Sequence, residues 1–447
     1  MIRNRDALVD HGNREARAAL LDVATAAVDA VHPRTTVPRA VERDGDRLRV
    51  GGRTYDLGAV GDVYVVGGGK GASAVAAELS AILGDRITGG VVAEKRGGEI
   101  EGVADAVDVV AAGHPLPDEA SLTAGRRALA VADAAGADDL VFVPITGGAS
   151  ATLAAPAGDC TLADLAATTE TLLNAGLRID EINAVRKHCS AIKGGRLADR
   201  IAPATAVTLV VVDEVAGEPW GPTVGDRTTV ADALDVLARH DLTEAVPPAV
   251  VRHLERGRDG GVAETPTETD GHVVVLAGPA DAAEAALDRA AALGYEPLIL
   301  STTVEGESRE VATCLAAIAE EAATYGRPAE PPCVLVSGGE TTVRVGGTGG
   351  EGGPNQEFAL GFALELGTDD TAVTTLALGT DGTDGPTDVA GGLVDATTVP
   401  RMDDRGIDAR DHLRRHDVTP ALRAVDDAVL TGATGTNVMD LRLTLVE

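Results

Sequence analysis

Cysteine, aromatic residues and positive charge are all scarce in this chain of 447 residues. The four cysteines are scattered and form no CxxC pair, which argues against a disulfide framework or a zinc site and fits a reducing cytoplasm. Lysine and arginine together number 38 against 70 acidic residues, for a formal net charge of −32. Nucleic acids and anionic membranes bind basic surfaces, so we expect neither as a partner.

Long hydrophobic runs are also missing. No stretch of 18 apolar residues is present that could cross a membrane, and the first residues, MIRNRDALVDHGN, lack the apolar core of a secretory signal. Apolar residues nevertheless make up 44% of the chain, which is enough for a buried core. The length favours two large domains, so we expect a two-domain cytoplasmic protein.

Lysine is the rarest of the charged residues, with four copies against 34 of arginine. An acidic, lysine-poor surface is typical of halophilic proteins, and its self-repulsion should destabilise the folded state at low salt. A GC-rich genome would also deplete lysine, but it would not by itself produce the net charge. Three of the lysines (Lys70, Lys187 and Lys193) lie beside glycines or in a basic cluster, whereas Lys95 resembles an ordinary surface lysine.

Short apolar runs rich in β-branched residues recur, each followed by a glycine-rich or acidic loop, at 62–66, 140–145, 208–212, 334–337 and 374–378. Such runs predict buried parallel strands, and the helical patterns between them predict a doubly wound, open α/β sheet. The polar segment 255–271 is a candidate domain boundary, which gives domains of residues 1–254 and 272–447. Ligands of such sheets bind beyond the carboxyl ends of the strands.

The glycine turn at 67–71 follows a predicted strand and precedes a predicted helix. Gly68 and Gly69 would let the backbone approach an anion, helix N–H groups would point at it, and Lys70 would add a charge. A second interpretation is a dinucleotide site, with Glu94 as the acid that binds the ribose. A third is a tight structural turn. The residues alone leave all three open.

The segment 180–196, DEINAVRKHCSAIKGGR, combines helical spacing with an unusual concentration of positive charge. On one helix running through it, Asn183, Arg186, Ser190 and Lys193 would share a face. A basic helix face in so acidic a chain suits a phosphate or carboxylate ligand. The alternative is a solvated helix whose cations complement its C-terminal dipole. His188 is more often structural than catalytic in such a position.

Acidic and glycine-rich loops follow the remaining predicted strands. Asp213 could hold Mg²⁺ at the end of its strand or cap a helix. In the second half, the loop 379–385 presents Asp381 and Asp384, and the loops at 338–340, 346–353 and 431–437 are rich in small residues. Together these loops indicate a polyanionic ligand with a metal ion, as phosphoryl transfer requires.

Eight motifs carry a resemblance to a known family. They are GGGK at 67–70, GHPLPDEAS at 113–121, TGGASATL at 146–153, INAVRKHCSAIKGGRLA at 182–198, SGGETTV at 337–343, GGPNQEFAL at 352–360, GTDGTDGPTDVAG at 379–391 and TGATGTNVMDL at 431–441. In this order they resemble the glycerate 2-kinases that have a Rossmann-like N-terminal domain and a C-terminal MOFRL domain. With its composition, the chain resembles a haloarchaeal member.

The resemblance implies phosphorylation of D-glycerate to 2-phosphoglycerate by ATP, with Mg²⁺, in a cleft between the two domains. It implies three catalytic residues: Lys70, which stabilises the charge of the transferring phosphoryl group, Arg186, which acts on the glycerate carboxylate or a phosphate, and Asp213, which orients metal or substrate. It also implies residues that bind substrate or phosphate, which are Gly68, Gly69, Ser150, Lys187, Lys193, Asn355 and Glu357. The implied metal ligands are Asp381 and Asp384.

One departure from the family pattern is Pro354, which stands where the family usually has a functional arginine. A nearby cation such as Arg344 could replace it, or the role could be dispensable. The alternatives to glycerate kinase are a kinase for another small hydroxy acid, an NAD(P)-dependent hydroxypyruvate reductase and an inactive nucleotide-binding protein. The oligomeric state stays open, with a homodimer among the options.

Overall fold

The structure is a computed structural model that describes residues 1–98, 101–213, 220–345, 349–367 and 372–447. One segment singled out above, the loop 346–353, falls partly outside these ranges. Among the described residues, no helix is both long and apolar enough to cross a membrane.

The strands lie in three sheets. They are β1 (Val41–Asp44), β2 (Arg47–Val50), β3 (Arg53–Asp56), β4 (Val63–Gly69), β5 (Ile87–Lys95), β6 (Val107–Ala112), β7 (Leu140–Ile145), β8 (Thr205–Val211), β9 (His272–Ala277), β10 (Glu296–Glu307), β11 (Cys333–Thr342), β12 (Val373–Gly379), β13 (Gly391–Asp395), β14 (Ala428–Val429) and β15 (Asp440–Val446).

The helices connect these strands and cover the two larger sheets. They are α1 (Arg5–Val9), α2 (Arg14–Val31), α3 (Pro33–Ala40), α4 (Ala72–Leu83), α5 (Glu119–Ala134), α6 (Ala149–Thr152), α7 (Leu162–Asn174), α8 (Ile179–His188), α9 (Arg196–Ile201), α10 (Val230–Arg239), α11 (Pro248–Arg258), α12 (Pro279–Ala292), α13 (Ser308–Tyr325), α14 (Pro354–Glu365), α15 (Thr398–Asp403), α16 (Ala409–Arg414) and α17 (Val418–Ala424).

The first compact unit, here called the parallel-sheet unit, contains residues 36–212 and 220–276. Its central sheet has the order β6-β5-β4-β7-β8-β9, and the pairs from β6 to β8 are parallel. Val65, Val92 and Phe142 are buried on one face of this sheet and Val66, Ala93 and Val143 on the other. Burial on both faces explains the continuous apolar runs and confirms the predicted α/β fold of this unit.

The second unit, here called the mixed-sheet unit, contains residues 1–35, Asp213 and residues 277–447. Its sheet has the order β10-β11-β15-β12-β13-β14. Among the described strands of this sheet, β10 and β11 pair in parallel, whereas β15 runs antiparallel to β11 and β12, and β12 runs antiparallel to β13. The prediction of parallel strands is therefore wrong for this half. An apolar run reports burial on both faces, and helices bury antiparallel strands equally well.

The two compact units differ from the predicted domains at the N-terminus and at the boundary between the two domains. Helix α2 packs Leu20 and Leu21 into the same core as Leu376 and Leu443, so the N-terminal 35 residues belong with the mixed sheet. Buried Arg17 reinforces this packing through ion pairs with Asp395 (2.6 Å) and Asp427 (2.9 Å). The polar segment at 255–271 is not the boundary, because β9 follows it as an edge strand of the parallel sheet.

Candidate active site

The glycine turn at the end of β4 lies against the loop that follows β7. The backbone N–H of Lys70 donates to the Gly147 carbonyl at 2.6 Å. Gly69 has φ +135°, and a Cβ there would collide with Thr146. Glycine is therefore required at 69 both for its backbone conformation and for this close approach. The turn places the partly buried Lys70 directly before helix α4, at the carboxyl edge of the sheet.

The N-terminus of α4 holds a carboxylate of the protein itself. Glu94, at the end of β5, accepts hydrogen bonds from the Gly71 N–H (2.9 Å), the Ser73 N–H (3.1 Å) and the Ser73 hydroxyl (2.7 Å). Burial raises the pKa of Glu94, although these hydrogen bonds act in the opposite direction. The expectation that the helix N–H groups bind a ligand anion is therefore wrong for Gly71 and Ser73. The interpretation of Glu94 as a ribose-binding acid loses its support, because its side chain is used as a helix cap.

The loop after β6, which carries His114, lies close to the glycine turn that carries Lys70. Gly148 has φ +86°, and a Cβ on it would lie 3.0 Å from Cδ2 of His114 and 3.2 Å from Cγ of Lys70. His114 lies two residues beyond β6, and Gly148 lies three residues beyond β7. The His114 ring, the Lys70 stem and the Gly148 backbone are thus in mutual proximity at the carboxyl edge of the parallel sheet.

The basic segment is not one continuous helix. Helix α8 ends at His188, and a turn with left-handed Gly194 and Gly195 leads into α9. The shared face predicted for Asn183, Arg186, Ser190 and Lys193 is therefore wrong. Two consecutive left-handed glycines cannot continue a right-handed helix, and Ser190 instead forms a β-bridge with Pro156.

The cations of this segment have separate surroundings. The Arg186 guanidinium donates to the Asn183 side-chain oxygen. The Lys187 ammonium lies 3.1 Å from Oδ1 of buried Asp226. Burial alone would raise the pKa of Asp226, but the Lys187 charge and hydrogen bonds from Thr228 outweigh it, and the pKa is lowered. His188 is buried and bonded to the Ala184 carbonyl, which supports its structural interpretation.

Lys193 binds the main chain of the loop that contains Ser150. Its ammonium donates to the carbonyls of Ser150 (2.8 Å) and Leu153 (3.3 Å). Burial, with a smaller contribution from the Arg186 charge, lowers the pKa of Lys193 to about 7. Because the same loop accepts the Lys70 N–H at Gly147, Lys193 and Lys70 are connected through residues 147–153.

In the mixed-sheet unit, Asp213 meets the loop 431–437. The Asn437 side-chain amide donates to Oδ2 of Asp213 at 3.0 Å, and Asn437 is 8% exposed. The same loop contacts the acidic loop 379–385, where the Thr434 N–H donates to the Asp381 carbonyl at 3.2 Å. Oδ1 of Asp381 accepts the Thr383 N–H at 2.9 Å. The loop 431–437 therefore contacts both Asp213, through Asn437, and Asp381, through Thr434.

Asp384 caps helix α14. Its carboxylate accepts the backbone N–H groups of Asn355 and Gln356, both at 2.9 Å, and the two side-chain amides at 3.1 and 3.0 Å. The Asn355 amide also donates to Oδ1 of Asp440 at 2.7 Å. Burial raises the pKa of Asp384 to about 7, helped by the Asp440 charge and opposed by these hydrogen bonds. Pro354 is the first residue of the helix, where its missing N–H costs nothing.

Glu357 lies one turn further along α14 and is paired with a histidine. Its Oε1 is 2.8 Å from Nδ1 of His416, while Oε2 is buried and has no hydrogen-bond partner among the residues that the structure describes. Burial raises the pKa of Glu357, and the His416 contact opposes the change. A buried, unsatisfied carboxylate oxygen of this kind marks a site that can receive a hydrogen bond from a ligand or from water.

The structure does not place the predicted metal ligands in a cluster. No group of three or more His, Cys, Asp or Glu side chains that could hold an ion lies within the described ranges. The Asp384 carboxylate accepts hydrogen bonds from four N–H donors, which makes it a helix cap. Mg²⁺ at phosphoryl-transfer sites is usually held by one or two carboxylates and by substrate phosphates, so Asp381 stays a predicted ligand.

Sequence reasoning missed His114 and Asn437 as site residues. Both fall in the quoted motifs, at 113–121 and 431–441, so the motif match was an available signal. The contacts of these two residues could not be predicted from the motifs. His114 meets Gly148 and Asn437 meets Asp213, and both pairs are far apart in the sequence.

A glycine-turn lysine on a parallel sheet, followed in the chain by a second sheet with acidic loops, defines a class of two-domain α/β proteins. Residues 19–255 match the domain of unknown function DUF4147, and residues 333–440 match the MOFRL family. The glycerate 2-kinase of Pyrococcus horikoshii is 40% identical over 426 residues, which cover 94% of this chain and 95% of that protein.

A crystal structure of glycerate kinase from Thermotoga maritima superposes with a TM-score of 0.80 at 33% identity, covering 96% of this chain and 99% of that one. A protein of Agrobacterium vitis that carries the name hydroxypyruvate reductase is 41% identical over 393 residues, 86% of this chain and 87% of that protein. The chain belongs to the glycerate 2-kinase family, a family of phosphotransferases. This confirms the predicted family and enzyme class.

Proposed function

We propose that this chain transfers the γ-phosphoryl group of ATP to the 2-hydroxyl group of D-glycerate. The observation that carries the proposal is the placement of Lys70 at the carboxyl edge of the parallel sheet, held by Gly147 and Gly148, in a chain 40% identical to a glycerate 2-kinase. Phosphoryl transfer depends mainly on positioning and charge stabilisation, and an ammonium group on a rigid turn supplies both.

In this proposal Lys70 stabilises the negative charge on the transferring phosphoryl group. Arg186 and Lys187, at the end of α8, bind the glycerate carboxylate or a phosphate, and Gly68, Gly69 and Ser150 bind substrate or phosphate as the family resemblance implies. Lys193 has its ammonium on two main-chain carbonyls, so we assign it to positioning the 146–153 loop.

The mixed-sheet unit contributes Asp213, which orients the substrate, and α14, whose Glu357 has an unsatisfied oxygen. Asn355 joins Asp384 to Asp440, which supports a role in shaping the site more than in binding phosphate. We propose that Mg²⁺ enters with ATP, with Asp381 and Asp213 as candidate ligands. Action of the two units on one substrate pair, in a cleft, stays a prediction from the family resemblance.

The composition supports two further proposals. The net charge of −32 and the four lysines favour a halophilic, haloarchaeal protein. The scattered cysteines, all unpaired in the structure, favour the cytoplasm.

The test is phosphorus NMR of the purified protein with D-glycerate, ATP and Mg²⁺ in about 2–3 M KCl, a concentration that screens its acidic surface. A 2-phosphoglycerate signal is the expected result. A 3-phosphoglycerate signal would keep the kinase but overturn the assigned hydroxyl group. Failure to phosphorylate D-glycerate, with turnover of another hydroxy acid, would overturn the substrate.

The hydroxypyruvate reductase name carried by the Agrobacterium vitis relative defines the second candidate. Glu94 counts against it, because its carboxylate caps α4 and cannot also bind the ribose of a nicotinamide cofactor in that arrangement. Oxidation of NADH or NADPH with hydroxypyruvate, measured by absorbance under the same salt conditions, distinguishes the two activities. We expect no oxidation above the rate without enzyme.

A further inference from the structure

Phosphorylation of an alcohol requires that the hydroxyl group lose its proton, and none of the roles assigned above is that of accepting it. Lys70 supplies positive charge and cannot serve as an acceptor while it is protonated. Arg186 stays charged at all working pH values. A proton acceptor near the transferring group should be a side chain of near-neutral basicity, and histidine is the side chain that meets this condition without special tuning.

His114 lies at the correct place for such a group. The Cβ position of Gly148 would be 3.0 Å from Cδ2 and 3.2 Å from Nε2 of His114, and 3.2 Å from Cγ of Lys70. The imidazole edge that carries Nε2 therefore faces the same glycine as the Lys70 stem. Any side chain at 148 would separate the ring from the lysine, and φ of +86° at this position also favours glycine.

The loop that carries His114 is anchored on both sides. The Gly113 N–H is bonded to Asp118, which also caps helix α5 by accepting the Ser121 N–H at 2.9 Å. Asp118 forms an ion pair with Arg96 at the end of β5. The anchored loop holds the partly buried ring at the carboxyl ends of the strands, where ligands of parallel α/β sheets bind.

We propose that His114 is a catalytic residue that accepts the hydroxyl proton of the substrate during phosphoryl transfer. The proposal rests on the function proposed above. As the glycerate oxygen forms its bond to the γ-phosphorus, the bond from that phosphorus to the bridging oxygen breaks and ADP leaves. The hydroxyl proton moves to the neutral imidazole and passes to solvent after product release, so the imidazole is regenerated.

Charged groups lie on the elements that meet near this loop. Lys70 is on the turn between β4 and α4, and Asp118, paired with Arg96, is at the start of α5. Lys193 donates to the carbonyls of Ser150 and Leu153, in the loop that carries Gly148. The pH profile of the His114→Gln enzyme is therefore compared with the pH profile of wild type, and not with the pKa of a free histidine.

The deciding experiment is the pH dependence of kcat for wild type and for His114→Gln, with D-glycerate and MgATP at saturation. We expect kcat to fall by about 10²–10⁴-fold, the usual range for a lost general base. We expect wild type to lose activity towards acidic pH as the imidazole becomes protonated, and this loss should be absent in the variant. KM for both substrates should stay within about threefold. His240→Gln, which removes a surface histidine paired with Glu181, should match wild type.

Two results would overturn the proposal. One is a His114→Gln enzyme that keeps the wild-type acid limb, whatever its kcat. The other is an unchanged kcat with a raised KM for glycerate, which would make the imidazole a ligand of the substrate carboxylate. If His114→Gln does not fold, as judged by its melting curve, His114→Asn replaces it. A wild-type protein without phosphoglycerate product would instead contradict the proposed function itself.

Discussion

At the scale of single residues, two of the four lysines have different tasks. Lys70 is held through its backbone, since its N–H is bonded to Gly147, and its stem lies on Gly148. Lys193 is held through its ammonium group, which donates to two carbonyls. We therefore expect Lys193 to act through the loop that holds Lys70.

Replacing Lys70 with alanine should lower kcat by at least about 100-fold, the usual cost of removing one donor that stabilises a transition-state charge. The fold should persist, because the turn depends on the backbone contacts of residues 69–71. Turnover by phosphorus NMR and a thermal melting curve measure the two effects. A folded Lys70→Ala enzyme with near-wild-type kcat would remove Lys70 from the mechanism.

Replacing Lys193 with methionine should lower kcat by about tenfold or more and leave KM for D-glycerate within about twofold, because the 146–153 loop loses its anchor. If Lys193 acts through Lys70, the double variant with Lys70→Ala should be no slower than Lys70→Ala alone, since residues that act as a unit are not additive. Arg200→Met removes a surface charge paired with Asp133 and serves as the control. A large rise in KM would instead assign Lys193 to substrate binding.

Lys193 should also make stability depend on pH. Its pKa of about 7 in the folded state is below the unfolded value of about 10.4, so the unfolded chain binds more protons between these limits. The free energy of unfolding of wild type relative to Lys193→Met should therefore rise with pH above 7, by at most about 1.4 kcal/mol per pH unit. Urea unfolding at pH 7 and 9 measures this difference, and a constant difference would contradict the buried ammonium.

At the scale of elements, caps decide where the helices begin. Glu94 closes the N-terminus of α4 and Asp384 closes that of α14, so each takes a position at which a ligand anion could have bound. Both carboxylates come from loops or strands distant in sequence. A helix N-terminus after a glycine loop is therefore not sufficient evidence of an anion site.

Asp384→Asn tests whether this residue is a cap or a metal ligand. We expect a loss of about 1–3 kcal/mol in unfolding free energy, because buried N–H groups of α14 lose a charged acceptor. The Mg²⁺ concentration for half-maximal activity should stay unchanged. Urea unfolding and a Mg²⁺ titration make the two measurements. Weakened Mg²⁺ dependence with unchanged stability would restore the metal assignment, and Asp381→Asn under the same conditions gives the comparison.

At the scale of the whole molecule, charge distribution dominates. The net charge is −32, and all four lysines lie between residues 70 and 193, within the parallel-sheet unit. Arginine provides the other cations, and many of them pair with acidic neighbours at the surface, as Arg200 does with Asp133. Exposed pairs of this kind contribute little each, so they do not compensate the excess negative charge.

Stability and activity should therefore rise with salt. We expect the melting temperature to increase between dilute buffer and about 2 M KCl, because screening reduces repulsion among the acidic side chains. Differential scanning calorimetry with parallel activity assays gives the comparison. An unchanged melting temperature and full activity in dilute buffer would contradict the halophilic interpretation.

The sequence by itself determined the strands of the core, the α/β class and the family. Continuous apolar runs and the glycine after each run are local signals, and they correctly located β4, β7, β8, β11 and β12. The GGGK motif also singled out Lys70, and the end of a predicted strand singled out Asp213, and the roles of both residues stay predictions. These properties depend on neighbouring residues and on their order, which a sequence records directly.

Only the tertiary structure decided strand direction in the mixed sheet, the unit to which residues 1–35 belong and the partner of each charged group. Glu94 meets α4, Lys193 meets Ser150 and His114 meets Gly148 because strands distant in the chain are neighbours in a sheet. Hydrophobic periodicity reports which faces are buried, but it does not report what covers them. Which polar groups pair depends on the elements that cover each face, so only the tertiary structure could show this pairing.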